Sequence, residues 1–157
     1  MKIALIQTGK TNEKHISEGV EMYSSRIRKY AGFEIITIPD IRNTKNMPGV
    51  ELKNREGDKI LEAINKEDFV VLLDERGKEF RTVEFAGWLE KKMASSVKRV
   101  IFVIGGAWGF SDDVYSRADM KMSLSKMTFP HQLVRLLFAE QLYRAFTVTR
   151  GEPYHHE

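Results

Sequence analysis

Short apolar blocks alternate along this chain with longer segments whose apolar residues recur every three or four positions. The blocks 2–8 (Lys-Ile-Ala-Leu-Ile-Gln-Thr), Phe33–Ile38, Phe69–Leu73, Val100–Ile104 and Met120–Leu124 read as strands. Between them, Thr11–Tyr30 places Ile16, Val20, Tyr23 and Ile27 on one helical face, with Thr11 or Asn12 available as its cap. Glu51–Asn65 (Leu52, Ile60, Leu61, Ile64) and Thr82–Met93 (Val83, Phe85, Ala86, Leu89) repeat the pattern. Asp112–Tyr115 predicts a short helical turn, and Pro130–Thr147 a last long helix that is apolar on more than one face. Pro130 suits the start of that helix, where a missing N–H costs nothing. Asp40–Val50, with its Asn, Pro and Gly residues, reads as a loop, and Asp74–Lys78 as a turn.

Strand and helix alternate, so the pattern argues an α/β fold with a mainly parallel sheet and helices on both faces. The near-continuous apolar run Phe69–Leu73 fits a strand covered on both sides. The chain of 157 residues suits one domain, 1–157, built on one core. With no cysteine there is neither a disulfide framework nor a thiolate site, which is compatible with a reducing cytoplasm. No apolar run approaches membrane-spanning length, and the N-terminus lacks a signal-peptide pattern.

Charge changes the picture only locally. The net charge of +3 is a mild bias. Between Met120 and Gly151, however, Lys121, Lys126, Arg135, Arg144 and Arg150 face a single acid, Glu140. A basic excess beside a ligand crevice is consistent with a phosphate-bearing partner, while charge alone favours the plainer reading of a solvated surface. Gly105-Gly106-x-x-Gly109 follows a strand but lacks the G-x-G-x-x-G spacing of a dinucleotide site, and a tight turn explains it as well as a binding role does. No P-loop or G-x-S-x-G elbow is present, and the four histidines show no metal-ligand spacing. His131 and Arg135 share a helix face, and Glu140 can pair with Arg144. Trp108 and Phe110 read as core residues beside the glycine turn. Tyr154-His155-His156 could be a frayed end, or an aromatic and two ionisable rings that serve chemistry if the tail is tied down.

Four ordered blocks make the pattern specific: Phe102–Gly106 with Gly109, Leu124-Ser125-Lys126-Met127-Thr128-Phe129-Pro130-His131, Glu140–Phe146, and Pro153-Tyr154-His155. Together with Met1–Gly9 and the Glu56-Gly57-x-x-Ile60-Leu61 segment, they resemble the RlmH family, small bacterial 23S ribosomal RNA pseudouridine N3-methyltransferases of the SPOUT superfamily. The resemblance covers essentially the whole chain. It implies a C-terminal trefoil knot, an S-adenosylmethionine cofactor, no metal, a homodimer, and a substrate within the assembled ribosome in the cytoplasm. Carried over by position, Leu73, Gly105, Leu124, Ser125, Lys126, Met127, Thr128 and Phe129 would form the cofactor pocket. His155 from the partner chain would orient or deprotonate N3, Tyr154 would pack on the base, and His131, Arg135 and Arg144 would hold RNA. The apolar surface of the last helix would serve knot burial and the dimer contact. Where the family usually carries Arg or Lys after the Tyr-His pair, this chain has His156, so a permanent charge is exchanged for an ionisable ring. Two other readings fit the chain: a non-catalytic RNA- or ribosome-binding factor of the same fold, or a SPOUT methyltransferase acting on transfer RNA.

Overall fold

The computed structural model describes residues 1–156. Five strands, β1 (Lys2–Thr8), β2 (Gly32–Ile38), β3 (Phe69–Glu79), β4 (Arg99–Ile104) and β5 (Met120–Ser123), form one sheet in the order β2-β1-β4-β3-β5. Every neighbouring pair is parallel. Five helices connect and follow them: α1 (Lys14–Ile27), α2 (Gly49–Glu62), α3 (Thr82–Met93), α4 (Asp112–Arg117) and α5 (His131–Thr149).

Strand side chains alternate between faces, and here both faces are apolar. On one face Ile3, Leu5, Val100, Phe102 and Val71 meet Ile27 of α1, Phe85 and Leu89 of α3, and Phe138, Leu142 and Phe146 of α5. On the other, Ala4, Ile6, Val70, Leu72, Ile101 and Val103 meet Ile60 of α2 and Val114 of α4. The rings of Phe102 and Phe138 lie 4.6 Å apart, centring α5 under the middle of the sheet.

Three local expectations give way. β3 does not turn at Asp74–Lys78. It runs on to Glu79 and, after a register shift between Leu73 and Lys78, pairs again with β5. A β-carbon on Gly77 would lie 2.6 Å from the backbone of Lys121 and Met122, so glycine is what lets this polar extension lie against its neighbour. Thr11 and Asn12 do not cap α1. The Thr11 hydroxyl accepts a bond from Arg135 (2.9 Å), and the Asn12 N–H donates to Gln132 (3.0 Å), so both tie the β1–α1 loop to α5. Pro130 stands just before α5, and its carbonyl accepts from the Val134 N–H.

Among the described residues, no helix is long and apolar enough to cross a membrane, and no group of His, Asp or Glu is arranged to hold a metal ion.

Candidate active site

Parallel pairing sends every strand's carboxyl end to the same edge of the sheet, where chain reversals leave a crevice. There the segments after β3, β4 and β5 meet the start of α5 around a cavity of about 470 Å³. Its walls are Leu73–Arg76 from β3, Ile104–Phe110 after β4, Leu124, Ser125 and Met127–Pro130 after β5, and His131 and Val134 of α5, with Tyr115 of α4. Seven of the eight residues expected at a cofactor pocket therefore converge: Leu73, Gly105, Leu124, Ser125, Met127, Thr128 and Phe129. Lys126 does not. Its exposed ammonium points away and pairs with Glu79 at 3.6 Å.

The loop after β5 is held by its own polar groups. Ser123 donates to the Ser125 carbonyl (2.8 Å), Ser125 accepts from the Met127 N–H (3.0 Å), and Thr128 donates to Glu75 across the cavity (3.0 Å). The Tyr115 hydroxyl donates to Asp74 at 2.6 Å. Partial burial raises the Asp74 carboxyl, but the bonds from Tyr115 and the Arg76 N–H outweigh it and hold Asp74 below the ordinary carboxylate range. Burial and that same bond push the Tyr115 phenol up to about 12. The cavity thus combines apolar walls, residues of three loops, the Asp74 and Glu75 carboxylates and the Arg76 side chain, the mixed lining of a small-molecule site. Its volume lies within the usual range for a small-molecule site.

The glycine turn forms one wall. Gly109 has φ +79°, and its N–H donates to the Gly106 carbonyl (3.1 Å). Behind Gly106 stands Glu56 of α2, buried, with Oε2 lacking a hydrogen-bond partner. A β-carbon on Gly106 would come within 2.5 Å of that oxygen. Burial and then the negative charge of Asp40 raise the Glu56 carboxyl above its ordinary value. The folded state therefore holds this proton more tightly than the unfolded chain. Its stability falls as pH rises from the unfolded glutamate value, about 4.3, through the raised folded one, and the loss is complete above that. Glu56→Gln is accordingly expected to raise the melting temperature by about 3 °C at pH 8. The gain should shrink as the pH approaches 4.5. Melting curves at both pH values check this, and an equal gain at both would refute the titration.

The remaining expected residues divide. His131 is exposed at the cavity mouth. Arg135 is 1% exposed, its guanidinium bonded to the Thr8 carbonyl (2.7 Å) and Thr11, and it faces the charge of Asp40. A side chain so enclosed cannot grip RNA phosphates, so Arg135 instead fixes the β1–α1 loop to α5. Arg144 donates to Glu140 (2.9 Å through Nε) and contacts Nδ1 of His155 at 3.3 Å. Its guanidinium lies 4.7 Å over the Tyr154 ring.

The C-terminal tail is tied down rather than frayed. Tyr30 donates to Glu152 (2.7 Å), Tyr154 donates to Glu140 (3.1 Å), and the Tyr154 ring meets Tyr143 edge to face at 4.8 Å. Burial, a bond with Tyr23 and Glu140 all raise the Tyr154 phenol. A ring engaged in this way anchors the tail and does not offer a free face to a base. Along α5, the residues holding the tail (Glu140, Arg144) stand six to ten positions beyond Val134 at the cavity, about 9–15 Å at helical rise. The tail and the cavity of one chain are therefore separate. Asp74, Glu75, Arg76 and Glu56 were missed from the sequence. For the first three the signal was present, because polar residues directly after a buried parallel strand lie at the crevice edge.

The chain matches the family model described as "Predicted SPOUT methyltransferase" over residues 1–155. It is 52% identical to the Ribosomal RNA large subunit methyltransferase H of Christiangramia forsetii over 156 residues, 99% of each chain. It is 51% identical over 157 residues to the protein of the same name from Parabacteroides distasonis, covering all of both. A Legionella pneumophila methyltransferase solved with bound SAM aligns at 14% identity and a TM-score of 0.49, over 92% of this chain and 66% of that one.

Proposed function

The chain belongs to the SPOUT methyltransferase family, and from that premise we propose that it transfers a methyl group from S-adenosylmethionine to N3 of a pseudouridine in 23S ribosomal RNA. It acts as a homodimer on the assembled ribosome, in the cytoplasm. The observation that carries this reading is the convergence of seven motif residues on one cavity, in a chain half identical to named large-subunit RNA methyltransferases.

The residues present fit the cofactor. Leu73, Gly105, Leu124, Ser125, Met127, Thr128 and Phe129 would hold the cofactor, with Ile104 and Val134 adding apolar contact. Asp74 and Glu75 supply negative charge to the cavity and would favour a cationic sulfonium there. When bound, the cofactor supplies a methyl group already activated by the positive sulfur. The protein's part is then to exclude water, align the base and manage the N3 proton.

His155 is assigned to the base. Arginine only donates, so the Arg144 contact makes Nδ1 the acceptor and leaves the proton on Nε2. That N–H is enclosed in the chain's own fold, and in this reading it turns to a carbonyl oxygen of the base when the tail meets a partner's cavity. It stabilises the negative charge left when the N3 proton passes to water, and does not itself remove that proton. Since a chain's own tail is distant from its own cavity, a partner chain supplies it, making the site composite. Tyr154, Glu140 and Arg144 hold the tail in place, and His131 at the mouth contacts the RNA backbone. The trefoil knot belongs to this reading. It is supported by the short path from β5, at the edge of the sheet, to α5, which returns under β4 and packs beside α1 and α3.

Methyl-labelled S-adenosylmethionine incubated with ribosomes lacking the modification tests the reading. Label is expected in large-subunit RNA, and more from whole ribosomes than from stripped RNA. No incorporation, with cofactor binding intact, would refute the catalytic reading in favour of a binding factor.

A further inference from the structure

The two tryptophans of this chain have opposite surroundings. Trp88 packs among Phe69, Phe80, Phe85 and Phe102. Trp108, at the tip of the glycine turn, is 61% exposed and packs on no other ring among the described residues. Its neighbour Phe110 is buried against Tyr115, so only the second of these two aromatics belongs to the core. The indole is nevertheless not loose. A β-carbon on Gly49, the first residue of α2, would stand 2.7 Å from its six-membered ring. The ring therefore lies directly against a glycine backbone, which holds it while most of its surface remains open.

This platform also lines the cavity, beside Arg76 and His131. The loop leading to Gly49 carries exposed Arg42 and Lys45. A flat, pre-set aromatic surface in a cavity that also carries Arg76 and His131 is an arrangement that binds unstacked nucleobases: stacking is tolerant of sequence, and cationic groups follow the phosphates. Holding the ring in advance reduces the entropy lost when a base lands on it.

We propose that Trp108 is a substrate-positioning residue that stacks on a base of the RNA segment presented to the cavity. The proposal rests on the methyltransferase reading above. It concerns RNA alone, so it separates from cofactor binding. Trp108→Ala is expected to raise KM for unmodified ribosomes about tenfold, with cofactor Kd by calorimetry and sedimentation mass unchanged. Trp108→Phe, which keeps a smaller face, should recover most of the loss. Gly49→Ala, which displaces the ring without altering it, should reproduce part of it.

An unchanged KM in Trp108→Ala overturns the proposal. An equal loss of cofactor affinity also overturns it, by assigning the indole to the cofactor rather than to the RNA. A change in sedimentation mass does so too, by showing that a second copy covers the ring. Wild-type protein that methylates nothing would instead remove the underlying reading, and this proposal with it.

Discussion

His155→Ala is expected to lower kcat on unmodified ribosomes about a hundredfold, the typical cost of removing one hydrogen-bond donor aimed at developing charge. The Arg144–Nδ1 contact is what makes the ring a donor. His155→Asn, which keeps an N–H donor but cannot serve as a base, should therefore recover part of the rate, whereas a true proton acceptor would not be replaced in this way. Cofactor affinity should not move, because in this account His155 meets the base and not the cofactor cavity of its own chain. Single-turnover rates together with calorimetry check both points. A second consequence follows from the distance between a tail and its own cavity. Mixing His155→Ala chains with chains carrying a damaged cofactor cavity should restore one working site per mixed dimer. Full activity of His155→Ala alone would detach the tail from the reaction.

The second large effect is expected from Gly105→Val. A β-carbon at Gly105 would sit 3.2 Å from the ring of buried Phe110, which must shift to admit it. Phe110 packs edge to face on Tyr115 at 5.7 Å, and the Tyr115 hydroxyl fixes Asp74. The branched side chain therefore pushes through Phe110 and Tyr115 onto the cavity wall that carries Asp74. Overpacking of this kind costs about 1–3 kcal/mol. If it falls on the binding-competent wall, cofactor affinity weakens about ten- to a hundredfold. Calorimetric titration with S-adenosylmethionine reads the loss, and circular dichroism confirms that the sheet remains. Unchanged affinity would remove Gly105 from the cofactor wall.

Much of the architecture was legible because buried parallel strands carry continuous apolar runs. Phe69–Leu73 and Val100–Ile104 are such runs, and both lie on interior strands of the sheet. Helix α3 was legible from its spacing alone, with bounds that agree. The polar end of β3 was not, because Asp74–Glu79 pairs through its backbone and through the close approach at Gly77, neither of which leaves an apolar pattern. Within the proposed site, the convergence of seven loop residues on one cavity followed from motif resemblance, whereas the direction of individual side chains did not. Lys126 sits in the motif yet pairs outward with Glu79, and Arg135 is basic yet buried against Thr8. Side-chain type does not say which way a residue on a loop or helix points, and here direction decides the role. The same limit hid Trp108. An aromatic beside a glycine turn is usually core, and only the fold shows that Gly49 leaves this one on the surface.

The most direct test of the central claim is nucleoside mass spectrometry on ribosomes that lack the modification, after incubation with the pure protein and S-adenosylmethionine. The account predicts one new methylated nucleoside in large-subunit RNA, with the mass and retention of N3-methylpseudouridine. A methyl group on any other nucleoside, or none at all despite bound cofactor, would contradict it.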